Sequence, residues 1–185
     1  MPGRVIPHAK GVFGMRWRVG ISFLIILVGA LSVQAQAPGQ PANWIVVPGH
    51  AVGDIQLGMT QLQVLNRLGM PDEISNDRSS DGGRNVYWVY PQSDRSVFVV
   101  SWTKRQDEAG GVDFIFTDNS RYVTSKGVSL GAATFRDLLT HYGSPERMSG
   151  VGRGAVMFYY EGQGIRFRVE GEGGKVTAVT VVPRK

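Results

Sequence analysis

Residues 55–72 read IQLGMTQLQVLNRLGMPD, and residues 128–146 read VSLGAATFRDLLTHYGSPE. The second stretch repeats the pattern of the first, with one additional residue between its glycine and its threonine. A pattern that occurs twice along one chain predicts two similar structural units. The recurring pairs are Leu57 and Leu130, Gly58 and Gly131, Thr60 and Thr134, Leu65 and Leu139, Gly69 and Gly143, and Pro71 and Pro145.

Each stretch carries the signals of a short helix. Thr60 is a suitable N-cap, and Gln63 stands at the third helical position, where it completes a capping box. Thr134 and Asp137 form a weaker version of the same pair. Apolar residues then recur at helical spacing, and a glycine followed two residues later by a proline ends each copy. We therefore predict two helices of about eight residues each.

Strand-like segments follow each helix and are separated by turn signals. The predicted fold class is α+β, with two tandem units of a short helix plus a three- to four-stranded antiparallel meander. In this prediction the helices pack on one face of a curved sheet. The predicted strands are residues 86–90, 97–104, 112–117 and 121–124 in the first unit and 155–160, 164–170 and 176–182 in the second.

Residues 1–37 have the composition of a secretory signal peptide. Four basic residues and no acidic residue accompany an apolar run of 13 residues at 21–33, and the sequence AQA at 35–37 resembles a cleavage site. A helix of that length covers about 20 Å, which is less than the roughly 30 Å of a hydrocarbon core. We predict a periplasmic or secreted product without a stable membrane anchor; an inner-membrane anchor formed by an uncleaved signal is the alternative.

The rest of the chain divides into three segments. Residues 38–49 are rich in proline and glycine and predict an extended lead-in. The first helix-sheet unit is predicted at 50–124 and the second at 125–185.

The leader accounts for most of the net charge of the chain. The sequence has 20 basic and 15 acidic residues, and the leader holds four of the basic residues, so 16 basic and 15 acidic residues remain. A net charge of about +1 after cleavage argues against a nucleic-acid partner. The chain has no cysteine, so disulfides, a thiol nucleophile and a lipidated cysteine are all excluded.

One phrase of the first unit resembles a known group of envelope proteins. Residues 53–60 (GDIQLGMT), the glycine and proline that end the helix, and Tyr87-Trp88 resemble the small BamE-type proteins of outer-membrane assembly. The tandem copies resemble the β-lactamase inhibitor protein-like fold. The resemblance covers about residues 50–182. It implies two helix-sheet units that place their strands into one curved sheet.

No constellation of residues predicts catalysis or metal binding. His50 and His141 have no histidine or cysteine partner at helical spacing. Residues 77–83 lack the alternating acids of a calcium loop. The glycine-rich residues 150–154 lead into a strand rather than a helix, which argues against a phosphate site. We predict no catalytic, cofactor-binding or metal-binding residues and no cofactor.

The predicted strands contain more aromatic residues than one helix-covered face requires. In the segment 86–90 both faces are apolar. The surplus favours either a protein interface, which is typically rich in aromatic residues and arginine, or burial between the two halves of one continuous sheet. The candidate protein-binding face comprises Trp88, Tyr90, Trp102, Arg166 and Arg168.

These observations lead to one functional hypothesis and two alternatives. The hypothesis is an exported, non-enzymatic protein-binding or scaffold module of the cell envelope, whose partner is another envelope or secreted protein. The first alternative is an inhibitor of a secreted enzyme, by analogy of fold. The second alternative is a small-ligand carrier or an uncharacterised enzyme with its site between the helices and the sheet.

Overall fold

Two β-sheets and two short helices make up the part of the chain that the computed structural model describes, namely residues 43–78, 84–92, 94–104, 110–152 and 154–185. The predicted signal peptide and residues 38–42 of the predicted lead-in lie outside these residues, as do residues 79–83 of the calcium-like segment and Arg153. Among the described residues, no helix is long and apolar enough to cross a bilayer.

The elements follow one another along the chain as short strands, a helix, long strands, a second helix and further strands. They are β1 (Ile45–Val47), β2 (Ala51–Val52), β3 (Ile55–Gln56), α1 (Gln61–Leu68), β4 (Glu73–Arg78), β5 (Arg84–Pro91), β6 (Val97–Lys104), β7 (Phe114–Thr117), β8 (Val123–Thr124), α2 (Phe135–Tyr142), β9 (Arg147–Gly150), β10 (Val156–Tyr160), a 3₁₀ turn (Glu161–Gln163), β11 (Ile165–Glu170) and β12 (Lys175–Val181).

The larger sheet has eight strands in the order β4-β5-β6-β7-β12-β11-β10-β9, and all its neighbours are antiparallel. The smaller sheet has the order β3-β2-β1-β8, in which β1 and β8 are parallel. The centre of the larger sheet is the pairing of β7 with β12, where Thr117 lies opposite Val179 and Ile115 lies opposite Val181.

The predicted fold class is wrong. The described chain is mostly β, with sheets of four and eight strands and two helices, rather than an α+β fold of two tandem helix-plus-meander units. The smaller sheet was not predicted because its strands have only two or three residues, too few to show an alternating pattern. The edge strands β4 and β9 were missed because they are mostly exposed and carry polar residues on both faces.

The two predicted helices are confirmed, with eight residues each. At the start of α1, the Thr60 N–H donates to Gln63 Oε1 at 2.8 Å and the Gln63 N–H donates to Thr60 Oγ1 at 3.3 Å. At the start of α2, the Thr134 N–H donates to Asp137 Oδ2 at 2.7 Å. Gly143 ends α2 with φ 79° and ψ −163°, a conformation that is nearly restricted to glycine.

Both helices and the smaller sheet pack against the same face of the larger sheet. The register places Tyr90, Phe98, Thr117, Val179, Phe167 and Phe158 in one row across six strands of this face. The Tyr90 hydroxyl donates to the carbonyl of Gly69 after α1 at 3.2 Å. The Tyr160 hydroxyl, on the same face, donates to the carbonyl of Gly143 after α2 at 3.1 Å. We call this side of the larger sheet the covered face.

Substitution of the glycine that ends α2 tests how the helix is terminated. Gly143→Ala should lower the free energy of unfolding by about 1–3 kcal/mol, because the backbone conformation at this position is strained for any other residue. No atom lies within 4 Å of a Cβ built there, so the effect would come from the backbone alone.

Gly150→Ala is the matched control. Gly150 also has open space around a Cβ but has an ordinary φ, so this variant should change the free energy of unfolding by less than about 0.5 kcal/mol. Urea unfolding of both variants measures the difference. Equal effects of the two substitutions would contradict the role given to Gly143.

Candidate binding face

The second face of the larger sheet carries apolar and aromatic side chains that are only partly buried. We call it the open face. One row runs across all eight strands from edge to edge, and its members are Glu73, Val89, Val99, Phe116, Thr180, Arg166, Tyr159 and Arg147. A neighbouring row places Tyr87, Ser101 and Phe114 side by side on β5, β6 and β7. The half-buried side chains of this face include Tyr87, Val89, Val99, Phe114, Phe116, Met157, Tyr159, Arg166 and Arg168.

The structure divides the five predicted binding residues between the two faces. Trp88, Tyr90 and Trp102 are at most 9% exposed and belong to the core on the covered face. Arg166 and Arg168 lie on the open face and are half-buried. The prediction that all five share one exposed face is therefore corrected.

The three buried aromatic residues attach the segment around α1 to the sheet. The Trp88 and Trp102 rings make an edge contact with their centroids 4.8 Å apart. The Trp102 indole N–H donates to the carbonyl of Met59, just before the N-cap of α1, at 3.2 Å. Burial raises the pKa of the Tyr90 hydroxyl to about 12. These three residues therefore stabilise the core and are not available for binding a partner.

The open-face residues of β5 could have been identified from the sequence as one of two alternatives. Side chains alternate between the faces of a strand, so Tyr87 and Val89 had to lie opposite Trp88 and Tyr90. Both sets are apolar, and the sequence pattern does not say which of them the helices cover. The covered set includes Tyr90, whose hydroxyl donates to the carbonyl of Gly69 after α1.

Arginine and tyrosine side chains stack at the β9–β11 end of the open face. The guanidinium carbon of Arg147 lies 3.6 Å from the centre of the Tyr159 ring, and that of Arg166 lies 5.3 Å from it. The Tyr159 hydroxyl is 3.2 Å from the Ser149 hydroxyl. Arg168 pairs with Glu170, with Nη2 and Oε1 2.5 Å apart. This end of the face is positively charged and ordered by cation–π contacts.

Glu161 connects these arginines to the end of the chain. Its Oε1 accepts a hydrogen bond from Arg166 Nη2 at 3.2 Å and lies 3.8 Å from Arg147 Nη2, and its Oε2 lies 2.5 Å from Lys185 Nζ. The hydrogen bond from Lys185, together with the three positive charges, lowers the pKa of the Glu161 carboxyl. Residues 182–185 are thereby fastened beside the 3₁₀ turn, where the Val182 N–H also donates to the carbonyl of Gly164 at 3.1 Å.

A pocket of about 410 Å³ lies between the open face and these last residues of the chain. Its lining includes Tyr87, Ser101, Thr103, Phe114 and Arg166 from the sheet. The Tyr87 hydroxyl is 3.3 Å from Asp77 Oδ2, and burial followed by the charge of Asp77 raises the pKa of Tyr87. Sequence reasoning missed this pocket because its walls come from strands and a chain end that are distant in sequence.

The described residues offer no metal centre. No group of three or more His, Cys, Asp or Glu side chains in this part of the chain could hold a metal ion. His50 and His141 are both exposed.

No known protein family matches the sequence, and no curated protein matches it. Among solved structures, the chain is similar to a DUF4309 family protein (YjgB) from Bacillus subtilis, with 12% identity and a TM-score of 0.48 over 74% of this chain and 88% of that chain. It is also similar to an extracellular protein containing an SCP domain from Bacillus anthracis, with 13% identity and a TM-score of 0.42 over 69% of this chain and 44% of that chain. At these values neither similarity informs function, and the BamE-type and inhibitor-like resemblance stays a prediction.

Removal of the Glu161 charge tests the attachment of the chain end. Glu161→Gln should lower the free energy of unfolding near neutral pH by less than about 1 kcal/mol, because its partners are partly exposed. A lowered folded-state pKa means that the carboxylate stabilises the protein above its unfolded-state pKa and that this contribution is lost as the pH falls through the folded-state value.

The difference between the two proteins should therefore become smaller as the pH falls toward the folded-state pKa, and urea unfolding at neutral pH and at about pH 3 measures the decrease. Glu172→Gln, in the exposed turn between β11 and β12, is the control and should match the unsubstituted protein at both pH values. A difference that is as large in acid as at neutral pH would contradict the electrostatic explanation.

Proposed function

We propose that this chain is an exported, non-enzymatic protein-binding module of the cell envelope, and that it binds another envelope or secreted protein through the open face. The observation that carries this proposal is the row of half-buried apolar, aromatic and arginine side chains on the open face, which lie on both sides of the buried Thr180. The leader, with its apolar run and small residues, supports export.

The composition of the open face supports a protein partner. Antiparallel sheets with one face on the core usually carry polar residues on the other face. Here the centre of the other face carries Val89, Val99 and Phe116 instead. Protein interfaces have apolar centres and are enriched in aromatic residues, methionine and arginine relative to other surfaces. A partner that covers this row would remove half-exposed apolar area from water.

The charges on the open face describe the partner further. Edge strand β4 presents Glu73 and Asp77 at one end of the face, whereas Arg147, Arg166 and Arg168 lie toward the other end. Complementary charges fix the orientation in which two proteins associate. The partner therefore has an apolar surface with an acidic patch that faces β9–β11 and a basic patch that faces β4.

Charged substitutions at the centre of the open face test this function. A photoreactive amino acid placed at Met157 in living cells would crosslink the partner. Mass spectrometry would then identify the partner, which is purified for calorimetry. Val99→Glu and Phe116→Glu should each reduce the affinity of the chain for this partner at least about tenfold, because each substitution buries an unpaired carboxylate in the interface.

Leu62→Glu is the matched control, since Leu62 is an apolar residue that is 65% exposed on α1, away from the open face. This variant should bind the partner like the unsubstituted chain. Urea unfolding of all three variants separates loss of binding from loss of fold. Equal affinities of the two open-face variants and the control, or a trapped partner that is not exported, would refute the proposal.

A further inference from the structure

The pocket between the open face and residues 182–185 is concave and has polar, aromatic and basic walls, which a flat protein interface does not require. Its volume of about 410 Å³ falls within the range of small-molecule sites, about 300–1,000 Å³. We infer that this pocket binds a small carboxylated sugar of one or two rings. This inference does not depend on the proposed protein partner.

The floor of the pocket contains two aromatic rings with a small residue between them. The register aligns Tyr87, Ser101 and Phe114 on adjacent strands, so the two rings flank a serine that is only 3% exposed. Side chains directly opposite in neighbouring strands lie close together, and the pocket lies over this row. Aromatic rings that line a pocket can stack against the apolar C–H face of a sugar ring.

The next row along the same strands is polar and held in place. The Thr103 hydroxyl donates to Asn85 Oδ1 at 3.0 Å, and the Thr103 N–H donates to Asp113 Oδ2 at 2.9 Å. Asn85, Thr103 and Asp113 all line the pocket. Fixed donors and acceptors beside an aromatic floor suit a ligand with several hydroxyl groups on one side and an apolar face on the other.

The remaining wall is positively charged. Arg166, Arg184 and Lys185 line it, and Asp113 is the acidic residue of the lining. Glu161 neutralises part of this charge through Arg166 and Lys185, and Arg184 Nη2 donates to the carbonyl of Pro48 at 3.2 Å. The Arg184 guanidinium keeps its positive charge on this wall, because the partner of its Nη2 is a neutral carbonyl. Guanidinium and ammonium groups bind carboxylates through charge-assisted hydrogen bonds, so the sugar carries its carboxylate on this side.

Calorimetric titration of the purified chain with galacturonate and digalacturonate tests the inference. Galactose and lactose serve as neutral counterparts, and acetate serves as an anion without a sugar ring. We expect at least one uronate to bind saturably and at least about tenfold more tightly than its neutral counterpart, because the carboxylate adds a charge-assisted contact. Acetate should show no saturable binding. In heteronuclear NMR, the uronate should shift the amide signals of Tyr87, Ser101 and Phe114, which locates the site without any substitution.

Two arginines on the same strand provide a matched pair of variants. Arg166 and Arg168 both lie half-buried on the open face of β11 and both pair with a carboxylate, but only Arg166 lines this pocket. Arg166→Gln should abolish the preference for the uronate over the neutral sugar, whereas Arg168→Gln should preserve it. Phe114→Ala should weaken the binding of both sugars at least about tenfold.

Three results would overturn the inference: no saturable binding of either uronate, acetate binding as tight as uronate binding, or equal effects of the Arg166 and Arg168 substitutions. If the unsubstituted chain binds its protein partner but binds neither uronate, the ligand site is refuted and the protein interface is not. Loss of partner affinity in Phe116→Glu tests the protein interface alone, because Phe116 is not part of the pocket lining.

Discussion

The antiparallel pairing of β7 with β12 is the contact on which the rest of the molecule depends. It joins strands β4–β7 to strands β9–β12, so that eight strands form one sheet with two continuous faces. Ile115, Thr117, Val179 and Val181 point to the covered face at this junction, where all four are fully or almost fully buried. Without this pairing the arginines of β9–β11 and the apolar residues of β5–β7 would not lie on the same surface.

The same junction also creates the pocket. Strand β12 ends at Val181, and the four residues after it continue past the central strands to the 3₁₀ turn, where Glu161 holds Lys185. The chain end thereby becomes a wall above the row of Tyr87, Ser101 and Phe114. The otherwise shallow surface of the sheet gains a concave site, because the ion pair of Lys185 with Glu161 and the hydrogen bonds of Val182 and Arg184 hold the last four residues in place.

The sequence predicted the features that local chemistry decides and failed where distant segments meet. The caps and ends of both helices depend on residues within one turn, and Thr60, Gln63 and Gly143 act as predicted. The long strands have enough residues to show their pattern, but β1, β2 and β3 do not. The choice between Trp88 and Tyr87 as the buried side of β5 depends on what packs above the strand, which the strand's own residues do not encode. The pocket likewise arises only from register and from the path of the chain end.

The two proposed sites share residues, and this has a thermodynamic consequence. Tyr87, Phe114 and Arg166 belong both to the open face and to the pocket lining. A ligand in the pocket changes the surface that a protein partner meets, so the two binding free energies are coupled and each ligand alters the affinity for the other by the same factor. The sign of the coupling depends on Arg166. A sugar carboxylate that neutralises Arg166 removes part of the positive end of the face, and a partner that uses an acidic patch there would bind the sugar-loaded protein more weakly.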